Sequence, residues 1–441
     1  MPAASWTGSP SLTSDEVAAL RRKVAWRIIP LVVLLYLVAY LDRANVGFAK
    51  LRMGQDLGFS EEVFGLGIGL FFIGYLTLEI PGALLVEHWS ARKWFSRILL
   101  TWGLISAATA FVQTPGQFNT ARFLLGVAEA GFFPGIIVYF THWFPAHLRG
   151  RAMSGLIMAV PISLAVGAPV SGLLLNVTWF GLAGWQWLFI LEGLPAVLLG
   201  VVALFYLTDR PCDAHWLTAA ERQYLEEELA AEARAKNAAA KVSMWQALRM
   251  RDVWLLALGI FATNTGGYAI GFWLPTTVKS LSGGSDQASL AYTGLYYIFG
   301  LAGVIVSGRA SDRTGKYKWH CAGAMGAASV FLAASSLPGQ SFGAVMVWLC
   351  LTGFSALSWQ SPFWTLPTVS LTASAAATTI GFINIFANLA GYCGNHLMGY
   401  MRHHGATDRQ CLVFLASCYC LGGIIISFVR TKRKSYDIKN V

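Results

Sequence analysis

The sequence predicts an all-α polytopic membrane protein with twelve transmembrane helices, and three observations lead to this fold class. Hydrophobic residues make up 56% of the 441 residues, and charged residues make up only 12%. Soluble domains usually carry about 25% charged residues, so this chain has too little polar surface to cover a water-soluble core. The apolar residues also cluster into twelve runs, each long enough to cross a bilayer.

Each run has the length of a bilayer-spanning helix, which needs about 20 mostly apolar residues. Backbone exposed to lipid must satisfy its own hydrogen bonds, so the runs are expected to be helices. In chain order the expected spans are 26–47, 62–86, 95–113, 117–143, 151–176, 186–208, 253–279, 288–309, 320–337, 342–366, 375–401 and 411–429.

Basic residues are unequally distributed between the two ends of these helices. With a cytoplasmic N-terminus, 25 of the 32 Lys and Arg residues fall on the cytoplasmic side. The positive-inside rule therefore places both termini in the cytoplasm. The net charge of +10 then reflects topology and not a surface for nucleic acid. The opposite side is left with Lys50, Arg52, Lys279, Arg402 and Arg409.

The chain is expected to form two pseudo-symmetric six-helix bundles joined by a linker. The expected parts are a cytoplasmic N-terminal tail at 1–25, an N-terminal bundle at 26–208, a cytoplasmic linker at 209–252, a C-terminal bundle at 253–429 and a cytoplasmic tail at 430–441. Within the linker, Thr218 and Glu221 match a capping box ahead of a helical run to about Ala240. The seven cysteines show no metal-binding or redox spacing, and no metal or cofactor is expected.

Two loops resemble each other at corresponding positions of the two halves. The first begins at Gly82 and reads GALLVEHWSARK, and the second begins 226 residues later at Gly308 and reads GRASDRTGK. Six-plus-six duplication is typical of transporters. The second loop resembles the signature loop of the major facilitator superfamily, whereas the first departs from it at Glu87 and Ser90.

This resemblance implies a role for the loop charges, because these loops are cytoplasmic gates in the superfamily. An ordinary solvated turn is the alternative interpretation. The gating residues implied by the resemblance are Glu87, Arg92, Lys93, Asp312, Arg313 and Lys316.

Four further stretches resemble the anion:cation symporter family, which includes bacterial carriers of tartrate, galactonate, phthalate and hydroxyphenylacetate. They are YLDRANVGFA from Tyr40, RFLLGVAEAGFFPG from Arg122, GWQWLFILEGLP from Gly184, and Asp209-Arg210-Pro211. The resemblance implies the major facilitator fold and a place in the bacterial inner (plasma) membrane.

Ionisable residues inside the spans cost a few kcal/mol each on insertion scales, so they are functional candidates. Asp42, Glu129 and Arg122 form the expected proton-coupling group, in which a carboxylate changes its proton affinity when it changes partners. The resemblance implies the same role for Asp42 and Glu129. We expect Arg122 to pair with Glu129 or Asp42, and a permanent buried salt bridge is the alternative. The roles of Glu79 and Glu192 are left open.

Arg43 is expected to bind the substrate carboxylate, because its guanidinium offers two parallel donors and stays charged. The resemblance adds Tyr40 and Tyr75 to this site. In the C-terminal half, neutral polar side chains share helix faces, and interhelical hydrogen bonding is their alternative role. These candidates are Asn264 and Tyr268, Gln360, Ser361 and Trp364, and Asn384 and Asn388. The resemblance places Ser361, Trp364 and Asn388 at the substrate.

The sequence thus predicts a secondary active transporter, namely a proton-coupled symporter that takes up a small organic anion by alternating access. Its expected partners are the anion, protons and membrane lipid, without nucleic acid, and a monomer should suffice. The cargo could be a sugar acid, a tartrate-like acid or an aromatic carboxylate. The alternatives are a carrier of a neutral solute or an exporter. No catalytic pattern suggests an enzyme.

Overall fold

The computed structural model describes residues 12–238, 246, 248–370 and 373–430. The expected C-terminal tail lies outside these residues except for Arg430, and so do 239–245 and 247 of the expected linker. Residues 14–25 of the expected N-terminal tail form the first turns of helix α1, Ser14–Leu57. Its start is capped by Thr13, whose side chain and backbone exchange hydrogen bonds with Glu16.

The described residues are almost entirely helical. The α-helices are α1 Ser14–Leu57, α2 Glu61–His88, α3 Ala91–Thr109, α4 Pro115–Glu129, α5 Phe132–Thr141, α6 Ala146–Leu174, α7 Gly184–Tyr206, α8 Ala219–Ala238, α9 Arg251–Ser282, α10 Asp286–Thr314, α11 Tyr317–Ser335, α12 Phe342–Ser358, α13 Gln360–Ser370, α14 Ala373–His403 and α15 Asp408–Ser427. Every expected span overlaps one of these helices or an interrupted pair. Within the described ranges, nine helical segments are long and apolar enough to cross a membrane, namely seven single helices and the pairs α4–α5 and α12–α13. Twelve crossings remain a prediction.

The fourth expected span is interrupted where α4 ends and α5 begins. Gly131 adopts a left-handed conformation with φ of 81°. A Cβ atom on Gly131 would lie 2.7 Å from Cα of Gly82 in α2. The interruption therefore accompanies a close backbone approach that only glycine permits. The tenth expected span is likewise divided at Trp359, between α12 and α13.

Two sets of helices pack within themselves and against each other. In α1–α7, which we call the N-set, α3 packs along α7, α2 against α4, and α1 against α6. In α9–α15, the C-set, α9 packs against α14 and α15, and α10 against α12. The two sets meet where α2 lies beside α14, α6 beside α10 and α1 beside α9. The site described below lies along this boundary.

Helix α8 is attached to the N-set by ion pairs and a capped start. Thr218 and Glu221 exchange capping hydrogen bonds of 2.7 and 3.3 Å, so the predicted capping box is confirmed. The ion pairs are Arg21–Glu228 at 2.9 Å, Lys23–Glu221 at 2.8 Å and Arg149–Glu232 at 2.7 Å. We call the end of the molecule that carries α8 the linker face, and the end that carries loops 58–60 and 283–285 the far face.

Polar contacts join the two sets at the far face. Lys50 of α1 donates to Thr276 of α9 at 3.3 Å, and Arg52 forms an ion pair with Asp286 of α10. Asn384 and Asn388 of α14 also donate hydrogen bonds to Glu79 of α2. The two sets are therefore joined at the far face.

Candidate functional site

Arg43 lies at the centre of the boundary between the sets, on the side of α1 that faces α2 and α4. It forms an ion pair with Glu129, the last residue of α4. Its guanidinium lies 4.9 Å from the ring centre of Tyr40 and 5.3 Å from that of Tyr75. Tyr40 precedes Arg43 by three residues on the same helix, which places both on one face. The predicted convergence of Tyr40, Arg43 and Tyr75 is present in the structure.

Asp42 points to the other side of α1 and is fully buried. It accepts a hydrogen bond from the Ser106 hydroxyl of α3 and one from the Asn45 amide at 2.9 Å. Its second carboxylate oxygen has no hydrogen-bond partner among the described residues. Asp42 therefore lies inside the N-set, next to Arg43 in sequence, and its hydrogen bonds go to α3 and to its own helix.

Arg122 is also fully buried, and among the described residues it forms no direct ion pair with Glu129 or Asp42, so the expected pairing stays a prediction. None of its three guanidinium nitrogens has a hydrogen-bond partner in the part of the chain that the structure describes. The physical reason is distance, because seven residues along α4 separate Arg122 from Glu129 by about 10 Å. Helix α1 instead brings Arg43 to Glu129. The Arg122 guanidinium lies 5.2 Å from the ring centre of Phe71.

Glu79 connects the two sets through amide groups. Its carboxylate accepts a hydrogen bond from the side chain of Asn384 and another from Asn388 at 3.0 Å. Both amides belong to α14 of the C-set, whereas Glu79 belongs to α2 of the N-set. The two Asn candidates thus contact a carboxylate that the sequence had left without a role. The spacing of Asn384 and Asn388 by four residues was the signal for a shared partner.

The remaining C-set candidates are divided between two places. Tyr268 of α9 packs against Phe72 of α2, with ring centres 4.6 Å apart, and thus reaches the boundary. Asn264 lies one turn before Tyr268 on the same helix and is partly buried. Three further candidates are partly buried on α13, and no hydrogen bond or ring contact among the described residues joins them to the Arg43 group. They are Gln360, Ser361 and Trp364.

The first gating loop is fastened to the start of the linker. Asp209 forms an ion pair with Arg92 at 3.5 Å and accepts hydrogen bonds from the backbone amide of Arg92 at 2.9 Å and the Ser90 hydroxyl at 2.8 Å. Arg210 donates to the backbone carbonyl of Glu87 at 3.2 Å. The resemblance had singled out Asp209 and Arg210 without assigning them a contact.

The second gating loop makes no such connection in the structure. Asp312, Arg313 and Lys316 are exposed and form no ion pair with any described residue. Lys93 of the first loop is exposed as well. The two loops therefore differ, since the first is held by the linker and the charged side chains of the second form no ion pair among the described residues.

Comparison with known proteins is consistent with this geometry. The family model of the Major Facilitator Superfamily matches residues 32–394. A protein of Agrobacterium vitis named "Putative tartrate transporter" is 42% identical over 415 residues, covering 94% of this chain and 95% of the relative. A "Quinolone resistance transporter" of Acinetobacter baumannii is 40% identical over 412 residues, covering 92% and 94%.

A solved structure shows the same fold at low sequence identity. The structure entitled "Inward open conformation of the xylose transporter XylE from E. coli" matches with a TM-score of 0.73 and 14% identity, and the match covers 93% of this chain and 97% of that one. Its similarity extends to the fold alone. With the apolar helices, these matches indicate a multi-pass integral protein of a bacterial inner membrane. The chain therefore belongs to the major facilitator superfamily, as a transporter of the anion:cation symporter type.

Proposed function

We propose that this protein is a proton-coupled symporter that takes up small organic anions, and that Arg43 binds the substrate carboxylate. The observation that carries the proposal is the ion pair between Arg43 and Glu129 beside Tyr40 and Tyr75. The name of the tartrate relative supports an organic acid as cargo. Tyrosine hydroxyls and Asn amides suit the hydroxyl groups of such an acid.

Competition for Arg43 links the anion to the proton. A substrate carboxylate and the Glu129 carboxylate both prefer the same guanidinium. Protonation of Glu129 removes its attraction for Arg43 and frees the donors for the substrate. Proton binding and anion binding therefore favour each other at this site.

The charge balance of the N-set supports the same conclusion. The ionisable groups inside the N-set include two guanidinium groups, Arg43 and Arg122, and four buried carboxylates. The carboxylates are Asp42, Glu79, Glu129 and Glu192. An added anion would bring further negative charge into a medium of low dielectric constant. Proton uptake by Glu129 or Asp42 offsets this charge, and Arg122 provides the positive group to which Asp42 or Glu129 could turn.

Transport would follow from rocking of the bundles 26–208 and 253–429 about the boundary. The positive-inside rule makes the linker face cytoplasmic, so far-face closure corresponds to an inward-facing state. Return to the outward-facing state would separate Arg52 from Asp286 and bring the gating loops together. The α13 residues Gln360, Ser361 and Trp364 would then approach the substrate from the C-set, with Asn264, Tyr268, Asn384 and Asn388. One chain in lipid suffices for this cycle.

Uptake of labelled tartrate into proteoliposomes tests the role of Arg43. We expect the wild-type protein to take up tartrate and Arg43→Ala to lose at least about 90% of uptake, because the bidentate donor beside Tyr40 and Tyr75 is gone. Arg409→Ala, which removes an exposed basic residue at the far face, should transport normally. Normal uptake by Arg43→Ala would refute the assignment.

Export is the second candidate function, because one relative is named for quinolone resistance. An exporter would lower the sensitivity of cells to a quinolone and leave tartrate uptake at background. A neutral cargo would show instead as competition by sugars without competition by acids.

A further inference from the structure

The carboxylate of Glu79 occupies a position that the proposed coupling scheme does not use. Glu79 is 6% exposed and accepts hydrogen bonds from the two α14 amides, Asn384 and Asn388. An ionised carboxylate offers about four acceptor positions, and the amides occupy two of them. Glu79 can therefore accept further hydrogen bonds from a ligand at the boundary without losing either amide.

The side chain of Tyr75 connects Glu79 to the substrate carboxylate site. Tyr75 precedes Glu79 by four residues on α2, which places them on one face about 6 Å apart along the axis. The Arg43 guanidinium lies 5.3 Å from the Tyr75 ring on that face. A group that can only donate, Arg43, and a group that can accept, Glu79, thus lie on either side of Tyr75.

We propose that Glu79 is the specificity residue of the site and selects organic acids that carry a hydroxyl group. This inference rests on the proposed function and names its substrate class as hydroxylated carboxylic acids. The substrate carboxylate takes the Arg43 donors, and a substrate hydroxyl donates to a free acceptor position of Glu79. An acid without the hydroxyl would leave that acceptor unsatisfied in a closed site, and sites of this kind reject such analogues strongly.

A purely structural role of Glu79 as a bridge between α2 and α14 predicts something different. Loss of the bridge would then weaken all ligands to the same degree and leave their ranking as in the wild type. The specificity role predicts instead that Glu79→Gln changes the ranking of the ligands. Glu192→Gln is the matched control. Glu192 is also a buried carboxylate, but it lies inside the N-set, where its Oε1 accepts a hydrogen bond of 2.6 Å from the Ser171 hydroxyl.

The test uses tartrate, malate and succinate, which are four-carbon diacids with two, one and no hydroxyl groups. Binding of each to the purified full-length protein is measured by equilibrium dialysis. We expect the wild type and Glu192→Gln to bind tartrate at least about tenfold more tightly than succinate. Glu79→Gln should reduce this ratio to below about threefold, with a single symmetrical peak in size-exclusion chromatography as evidence of folding.

Three results would overturn the inference. One is a tartrate-to-succinate ratio in Glu79→Gln equal to that of the wild type. Another is a wild type that does not distinguish the three acids. The third is tighter binding of aspartate than of malate, which would make Glu79 the partner of an ammonium group. If the acids bind and Arg43→Ala abolishes binding, the proposed function survives any of these. If the wild type binds no acid, both proposals fail.

Discussion

Loss of Arg52 should open the far face of the protein. Arg52 of α1 forms an ion pair with Asp286 at the start of α10, so it joins the N-set to the C-set. Asp286 also pairs with Lys279 of α9, which belongs to its own set. Arg52→Ala therefore removes a contact between the sets while Asp286 keeps one positive partner.

The size of the effect follows from the environments of the two side chains. The Asp286 side chain is 5% exposed, but that of Arg52 is 45% exposed and is screened by water. Because Lys279 remains, the penalty of an unpaired buried charge does not apply in full. We expect the far-face-closed state to lose about 1–2 kcal/mol, which shifts its equilibrium with the far-face-open state by about 5- to 30-fold.

Electron spin resonance distance measurements can detect this shift. Spin labels at Gly116 and Gly343 would report on the far ends of the N-set and the C-set, since a side chain at either position meets no atom within 4 Å. The seven native cysteines are first replaced. Arg52→Ala should increase the population at long distance, whereas Arg409→Ala should not. Identical distance distributions in Arg52→Ala and the parent protein would refute the reasoning.

Three further predictions concern packing, the linker and the charge at Arg43. Gly126→Val should prevent folding, because a Cβ atom at this position would lie 2.0 Å from the carbonyl oxygen of Phe71. The control Gly116→Val adds a side chain in open space. In size-exclusion chromatography, Gly116→Val should give a single symmetrical peak and Gly126→Val should not. Glu232→Ala removes the ion pair to Arg149 and the acceptor for the backbone amide of Ala146. The rate of amide hydrogen exchange in α8 should therefore rise severalfold. An unchanged rate would contradict the attachment of α8 to the N-set. Arg43→Lys keeps the positive charge but loses the two parallel donors of the guanidinium, so the affinity for tartrate should fall about tenfold. If Arg43→Lys binds tartrate as tightly as the wild type, charge alone determines binding.

The fold was largely predictable because membrane spans depend on local composition. Runs of about 20 apolar residues locate the helices without knowledge of their neighbours. The interruption at Gly131 was not predictable, since it accompanies the approach of Gly82 from another helix. Residues 14–25 are too polar to be part of a span, and the capped helix that they form continues into the first one.

The candidate site was predictable as a set of residues but not as a set of contacts. Spacing along one helix placed Tyr40 with Arg43. Pairing between helices depends on how α1 lies against α4, and this assigned Glu129 to Arg43 instead of Arg122. The bridge from Glu79 to Asn384 joins residues 305 positions apart, and no local pattern specifies such a contact.

The central claim is that a proton enters with each anion through Glu129. Its most direct test is the pH inside proteoliposomes, recorded with a trapped dye when tartrate is added outside without any initial pH gradient. The wild type should acidify the interior as tartrate enters. Glu129→Gln should still exchange labelled tartrate across the membrane, but without acidification. Entry of tartrate into wild-type vesicles at constant internal pH, or acidification by Glu129→Gln equal to the wild type, would contradict the account.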